Sequence, residues 1–514
     1  MTDQPIHQQR PTWLGALFVS VPAEHLRAVL ERLGIVVDFL LVVGVLVIGD
    51  RSAASIAGAC FLAFAAVLRA FAGRLRDPLL SLFWLWSLLF IEFPCTCVAA
   101  MPSRFPVDHG LEVELSAPDP AAIAWALAQL SCCYLAVTAA AVVLPTRPSA
   151  PWPRIRPRPA IVVSLAMLGI GILYDRFRSV LPGLEYPAVR SAFEVIKTVS
   201  YDSAIVTFWV AAFATWTPGS ATRSNSRMLA FAVACAAFLA VHTYNSSKGA
   251  ILVLVFLAVG VPLALAIRCP GALMIVPRRR TLVVVAITAL PIFGFAESLR
   301  AERKLGREGA ADAAPGIVER LSSGKLIESA AIRLSVSYLR YLAIFDRFCM
   351  LEPGDRDGPR RNAAYTGRSL VNLLAPGTPF PDTYAPSSMV IDDLLSGSPL
   401  EGPQRDDLRG RRNSQPTTAF GFLFVIFGWW APVITLLATL ALRIIFVSGG
   451  FVSACLSAAL IQGALSCYGM DAAVQTSIAF AATIGVLMLM SRIAPAGRHG
   501  SRETDLATVK PVIR

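Results

Sequence analysis

Long apolar stretches separated by short polar breaks dominate the chain. A helix needs roughly 20 apolar residues to cross a bilayer core. Runs of that kind lie near 34–49, 52–70, 79–100, 120–144, 160–174, 200–216, 228–244, 249–267, 281–296, 417–440, 449–467 and 473–491. The pattern predicts an all-α polytopic membrane protein with about 12 transmembrane helices. The fifth run is short, and the sixth carries Tyr201 and Asp202 at its entrance. The opening residues are polar and lack the apolar stretch of a signal peptide.

Composition supports the same class. The 514 residues are 55% hydrophobic and 16% charged, with a mean hydropathy of +0.61. A soluble domain carries about 25% charged residues. The net charge of +12 reads as a topology signal, because short cytoplasmic loops collect Lys and Arg. Loop 145–159 holds Arg147, Arg154, Arg156 and Arg158 and no acid. Loop 69–78 holds Arg69, Arg74 and Arg76, and loop 268–280 holds Arg268 and Arg278 to Arg280. Between these lies 101–119, where Arg104 faces Asp108, Glu112, Glu114 and Asp119. The alternation puts both termini in the cytoplasm and gives no role to nucleic acid.

Four parts follow: helices one to nine over 1–297, a large extracytoplasmic loop over 298–415, the last helices over 416–492, and a cytoplasmic tail over 493–514. The large loop holds 17 Lys plus Arg and 15 Asp plus Glu. Loops this long escape the positive-inside rule. Within it Arg333, Arg340 and Arg347 recur every seventh residue, on one face of an expected helix. Its second half, 352–415, is rich in Pro, Gly, Asp and Arg and is expected to be irregular. Few charges fall inside the spans, and Glu92 is the clearest exception. The cysteines, among them Cys60, Cys95, Cys132 and Cys133, read as small apolar packing groups. No Cys or His spacing suggests a metal site.

Two further places carry charge beside the membrane on the outward side. One is loop 174–199, with Arg176, Arg178, Arg190 and Lys197 against Asp175, Glu185 and Glu194. The other is the tight turn His242-Thr-Tyr-Asn-Ser-Ser-Lys-Gly249. A helix that starts there would aim its free N–H groups outward and favour an anion. Lys248 adds a formal charge.

The turn Asn245-Ser-Ser-Lys-Gly-Ala-Ile-Leu252 resembles the Ser-Arg-Gly-Ala segment of bacterial O-antigen and exopolysaccharide polymerases, the Wzy-like family. Similar too are Leu370-Val-Asn-Leu-Leu-Ala-Pro-Gly-Thr-Pro-Phe-Pro381, Asn413-Ser-Gln-Pro-Thr-Thr-Ala-Phe-Gly421 and Phe427-Gly-Trp429. The resemblance covers roughly residues 230–440. The chain departs from it at Lys248, where arginine is common and would grip phosphate with two parallel bonds.

The resemblance implies a GT-C-like glycosyltransferase of the bacterial inner membrane, with its active site facing the periplasm. Donor and acceptor would both be oligosaccharides linked to undecaprenyl diphosphate. A chain-length regulator would be a further partner, and no cofactor or metal is implied. A diphosphate leaving group needs fixed positive charge, which arginine supplies at any pH. The donor-site candidates are Lys248, Arg300, Arg303, Arg333 and Arg340, then Arg176, Arg178 and Arg190. Each competes with a plain role as an interfacial or solvated cation. His242, at the same mouth as Lys248, is the base candidate. Glu297, Asp382, Asp392 and Asp393 are alternative bases. Arg409, Arg411 and Arg412 read as a solvated charge run.

Three rival classes remain, one of them a non-enzymatic assembly or anchoring protein. An O-antigen ligase usually shows a histidine in its large loop, and 298–415 contains none. A secondary transporter or flippase predicts internal repeats and ionisable residues at mid-membrane depth.

Overall fold

The computed structural model describes residues 18–49, 51–100, 120–146, 273–278, 280, 418–448 and 450–465, with isolated positions within 162–170, 367–371 and 474–489. The described part is almost all helical. In chain order it comprises β1 (Phe18–Pro22), α1 (Ala23–Ile48), α2 (Ala53–Leu75), α3 (Pro78–Ser87), a π-helical turn (Leu88–Glu92), and α4 (Phe93–Ala100). Then come α5 (Pro120–Val143), β2 (Leu273–Pro277), α6 (Ala419–Phe427), a 3-10 turn (Gly428–Trp430), α7 (Ala431–Ser448) and α8 (Gly450–Leu465). Among the described residues, three helical stretches are long and apolar enough to cross a membrane: Ala53–Leu75, Ile123–Val143 and Gly428–Val447. The protein is therefore membrane-associated.

Local chemistry sets the helix ends. The Ser52 side chain caps α2 by accepting from Ser55 N at 3.3 Å. Arg76, in the left-handed conformation at φ 51°, stops it. Asp77 then caps α3, accepting from Leu80 N at 2.9 Å, with Pro78 at the first helical position. Loop 69–78 thus shrinks to two residues, and Arg69 belongs to α2 rather than to a loop. Pro94 has no N–H to donate to the turn before it, and the helix loosens into the π-helical turn just upstream. Against α4, α2 packs through Gly58, whose hypothetical Cβ would sit 2.4 Å from Ala99 Cβ. Ser55 Oγ donates to Ala99 O at 2.8 Å in the same contact.

The predicted span 417–440 is not one straight helix. Contacts along α5 define its path. Trp125 meets Trp429 with ring centres 5.8 Å apart, and Gln129 Nε2 reaches Gly428 O at 3.5 Å. Lower down, Thr435 Oγ1 lies 3.7 Å from Cys133 Sγ, and Phe420 lies 6.1 Å from Tyr134 by ring centres. At the far end Arg443 Nε donates to Leu144 O at 2.7 Å. Both Phe420 and Thr435 therefore sit below Gly428, so α6 and α7 form a helical hairpin with its tip at Gly428–Trp430. Gly428 makes the reversal at φ 55° and ψ −129°, a conformation costly for any residue with a Cβ. Thr418 caps α6, accepting from Gly421 N at 3.4 Å, and is buried near the middle of the bundle.

From Trp125 to Leu144, α5 rises about 29 Å at roughly 1.5 Å per residue, close to the roughly 30 Å of a bilayer core. Exposed Trp125, Trp429 and Trp430 mark one end, where interfacial aromatics are favoured. Asp77, Thr146 and Arg443 meet at the other. The ends of α2, α5 and α7 thus meet at one end of the bundle.

The all-helical expectation is corrected at one place. β1 and β2 form an antiparallel pair, with Phe18 opposite Pro277 and Pro22 opposite Leu273. Residues 273–277 lie in what the sequence presents as a basic loop. Each strand is five residues long and shorter than any span, so hydropathy windows pass over both.

The packed centre is aromatic. Tyr134 is fully buried and meets Phe61, Phe83 and Trp84 edge to face, with ring centres 5.2 to 5.3 Å apart. Such pairs contribute about 0.5–1.5 kcal/mol each beyond area burial. Cys95 and Cys133 are buried, as expected of packing groups, whereas Cys60 and Cys132 are exposed.

Candidate functional site: a buried charge cluster in the helical bundle

The residues singled out from the sequence lie outside the described residues. These are His242, Lys248, Arg176, Arg178, Arg190, Arg300, Arg303, Arg333 and Arg340, together with the alternative bases Glu297, Asp382, Asp392 and Asp393. Among the described residues the chemistry concentrates elsewhere, in a cluster built from α1, α2 and the π-helical turn.

Arg69 is its centre. The α2 helix carries it on the face turned toward α1 and α3, where 2% of the residue is exposed. Its Nε donates to Asp38 Oδ2 at 2.7 Å, and its Nη2 reaches Asp38 Oδ1 at 3.4 Å. The same Nη2 donates to Glu92 Oε2 at 2.5 Å, and Nη1 donates to Trp84 O at 2.7 Å. The guanidinium also lies 4.9 Å from the centre of the Trp84 ring, within range of a cation–π attraction. One planar fork thus reaches two carboxylates and a carbonyl from three separate nitrogens, with a two-nitrogen grip on Asp38 that a single ammonium lacks.

Glu92 ends the π-helical turn. That turn displaces the helix register just where Glu92 must face inward, a common use of such bulges at functional positions. Ser87 Oγ donates to Glu92 Oε1 at 2.8 Å. Asp38 and Glu92 are both fully buried. The cluster therefore sets two carboxyl groups against one guanidinium inside apolar helices. Ionisable groups at such depth are expensive, so they mark functional positions by default.

A second buried pair closes the far end. Arg443 binds Asp77 through Nη1 at 3.2 Å and through a shorter Nη2 contact. Asp77 also accepts from Thr146 N at 2.9 Å and Thr146 Oγ1 at 2.6 Å. Each nitrogen of this guanidinium bonds within the protein: Nε donates to Leu144 O, and Nη1 and Nη2 donate to Asp77. The pair ties α3, α5 and α7 together and offers nothing to a ligand.

Within the predicted spans Asp38 and Arg69 are buried beside Glu92, the clearest exception in the sequence, and Asp77 and Arg443 are buried just beyond span ends. The available signal was local: Asp38 is the lone acid in an apolar run from Gly34 to Gly49, and Arg69 interrupts another from Ala53 to Ala72. Arg69 was hidden because it stands near a run's end, where a basic residue reads as a loop charge. Comparison with protein-family models, with curated proteins and with solved structures gives no match.

Proposed function

We propose that the protein is a polysaccharide polymerase. It transfers a lipid-diphosphate-linked glycan onto another lipid-linked repeat unit at the outer face of a bacterial inner membrane. The observation that carries this reading is the segment Asn413–Trp429, a polar turn that passes into the α6 hairpin and resembles the late segment of such polymerases. The Asn245–Leu252 turn and the long charged stretch 298–415 support it from the sequence. A membrane-embedded helical bundle is the setting that the reaction requires. Arginines fixed beside the diphosphate would stabilise the charge that grows as the glycosidic bond breaks, and a base such as His242 would take the acceptor hydroxyl proton.

Deleting the protein tests the reading. Single lipid-linked repeat units should accumulate, and long polymer should vanish from a gel of extracted glycan. Long chains that persist without reaching their final acceptor would instead favour a ligase.

A second reading, a polysaccharide transporter or flippase, is favoured by one observation. The Asp38–Arg69–Glu92 cluster is buried in the bundle, and both the π-helical turn and the α6–α7 hairpin interrupt regular helix. Buried ionisable groups beside broken helices are features of transport proteins. Under that reading the same deletion strands the repeat units on the cytoplasmic leaflet, where a membrane-impermeant glycan-oxidising label added from outside would leave them unmodified.

A further inference from the structure

The walls of a cleft between α3, α5, the α6–α7 hairpin and α8 are almost entirely apolar. Leu79, Phe83, Val137, Phe420, Leu423 and Leu442 line it, and its volume is about 370 Å³. It runs from the level of Tyr134 and Phe420 down to Arg443, the half of the bundle at the Arg443 end. Three polar residues touch it, and each is satisfied within the protein. Thr435 Oγ1 donates to Ala431 O at 2.8 Å, and Thr439 Oγ1 donates to Thr435 O at 2.7 Å. Arg443 is held by Leu144 O and Asp77. With almost all of the wall apolar, a polar occupant would lose its hydration and find few hydrogen-bond partners in return, at a net cost.

Ile445, in the cleft wall, is 38% exposed. Among the described residues the cleft is thus open beside α7, a side that would face hydrocarbon in a bilayer. Size selects among hydrocarbons. An apolar cavity of about 150 Å³ holds one benzene, so this cleft holds on the order of fifteen carbons. That matches one acyl chain of a phospholipid and falls far short of a whole undecaprenyl tail.

We propose that this cleft is a binding site for one acyl chain of a phospholipid in the leaflet at the Arg443 end. The chain completes the packing of the α6–α7 hairpin against α3 and α8, where the described residues leave the wall open. The inference rests on membrane placement alone and is independent of the glycan chemistry proposed above.

The test uses the full chain in nanodiscs of phosphatidylethanolamine and phosphatidylglycerol, with one acyl chain carrying a diazirine. After photolysis, peptide mapping should find label on Leu79 to Phe83 of α3 and on Ala438 to Leu442 of α7. Filling the cleft by Ala438→Phe should remove the α3 label while label on the exposed face around Leu437 persists. Ala464→Leu, a smaller change in the same wall, repeats the test if Ala438→Phe fails to fold. Label confined to exposed faces in the wild-type chain would overturn the proposal. So would α3 label that survives both filled variants. Label on α3 from a diazirine polyprenyl phosphate but not from the phospholipid probe would assign the cleft to a prenyl chain and overturn it too.

Discussion

Arg443 and Asp77, 366 residues apart in the chain, form a buried ion pair that joins α7 to the cap of α3. Asp77 is the more heavily used partner. It caps α3 through Leu80 N, holds Thr146 at the end of α5, and neutralises Arg443. Removing either side chain leaves the other charge buried without compensation. Arg443→Ala and Asp77→Ala should each cost about 3–5 kcal/mol, with Asp77→Ala the worse because the helix cap goes too. Thermal unfolding of the purified protein measures this. Equal melting points for wild type and both variants would contradict the buried pair.

The Arg69 cluster makes a sharper demand. Arg69→Ala strands two carboxyl groups in an apolar interior and should also cost about 3–5 kcal/mol. Arg69→Lys should recover only part, since a single ammonium lacks the planar fork that grips Asp38 through two nitrogens. The triple variant Arg69→Met, Asp38→Asn, Glu92→Gln should be more stable than Arg69→Ala, because it removes the charges together. Denaturation of the four proteins in one detergent decides the order. A triple variant less stable than Arg69→Ala would refute charge compensation as the role of the cluster.

Two glycines should respond in opposite directions. Gly428→Ala places a Cβ at φ 55° and ψ −129° and should cost about 1–3 kcal/mol. Gly44 lies inside α1 with open space where a Cβ would go. Gly44→Ala should stabilise by up to about 1 kcal/mol through helix propensity. Melting temperatures of the pair report directly on the hairpin turn, and a harmless Gly428→Ala would argue against it.

Reporter fusions at Ala150 and Gly358 test the orientation. The charge pattern places the first in the cytoplasm and the second outside. Cytoplasmic reporter activity from the Gly358 fusion would remove the basis for an outward-facing active site.

The donor site has its own test. Alanine at Lys248, Arg300, Arg333 or Arg340 should cost about a hundredfold to a thousandfold in polymer formation, with the protein still present in the membrane. Arg333→Lys and Arg340→Lys should rescue only partly. Near-normal polymer from all four alanine variants would move the diphosphate site to the basic 174–199 loop. Near-normal polymer from His242→Ala would remove His242 as the base.

Much of the helical layout could be read from residue order, because its causes are local. Apolar run lengths mark α2, α5 and α7 as long enough to cross a membrane. Glu92 stood out as a charge in an apolar run for the same reason. Only the tertiary structure decided what those elements do to one another. The 417–440 run folds back at Gly428 because α5 and α7 leave a slot for α6, and hydropathy alone does not register a change of direction. Arg69 became the centre of a cluster because Asp38 and Glu92, 31 and 23 residues away, converge on it from two other elements. The strand pair joins residues more than two hundred positions apart, and Asp77 meets Arg443 across a still longer gap. Such contacts arise from packing geometry, which is a property of the whole bundle and not of any window along the chain.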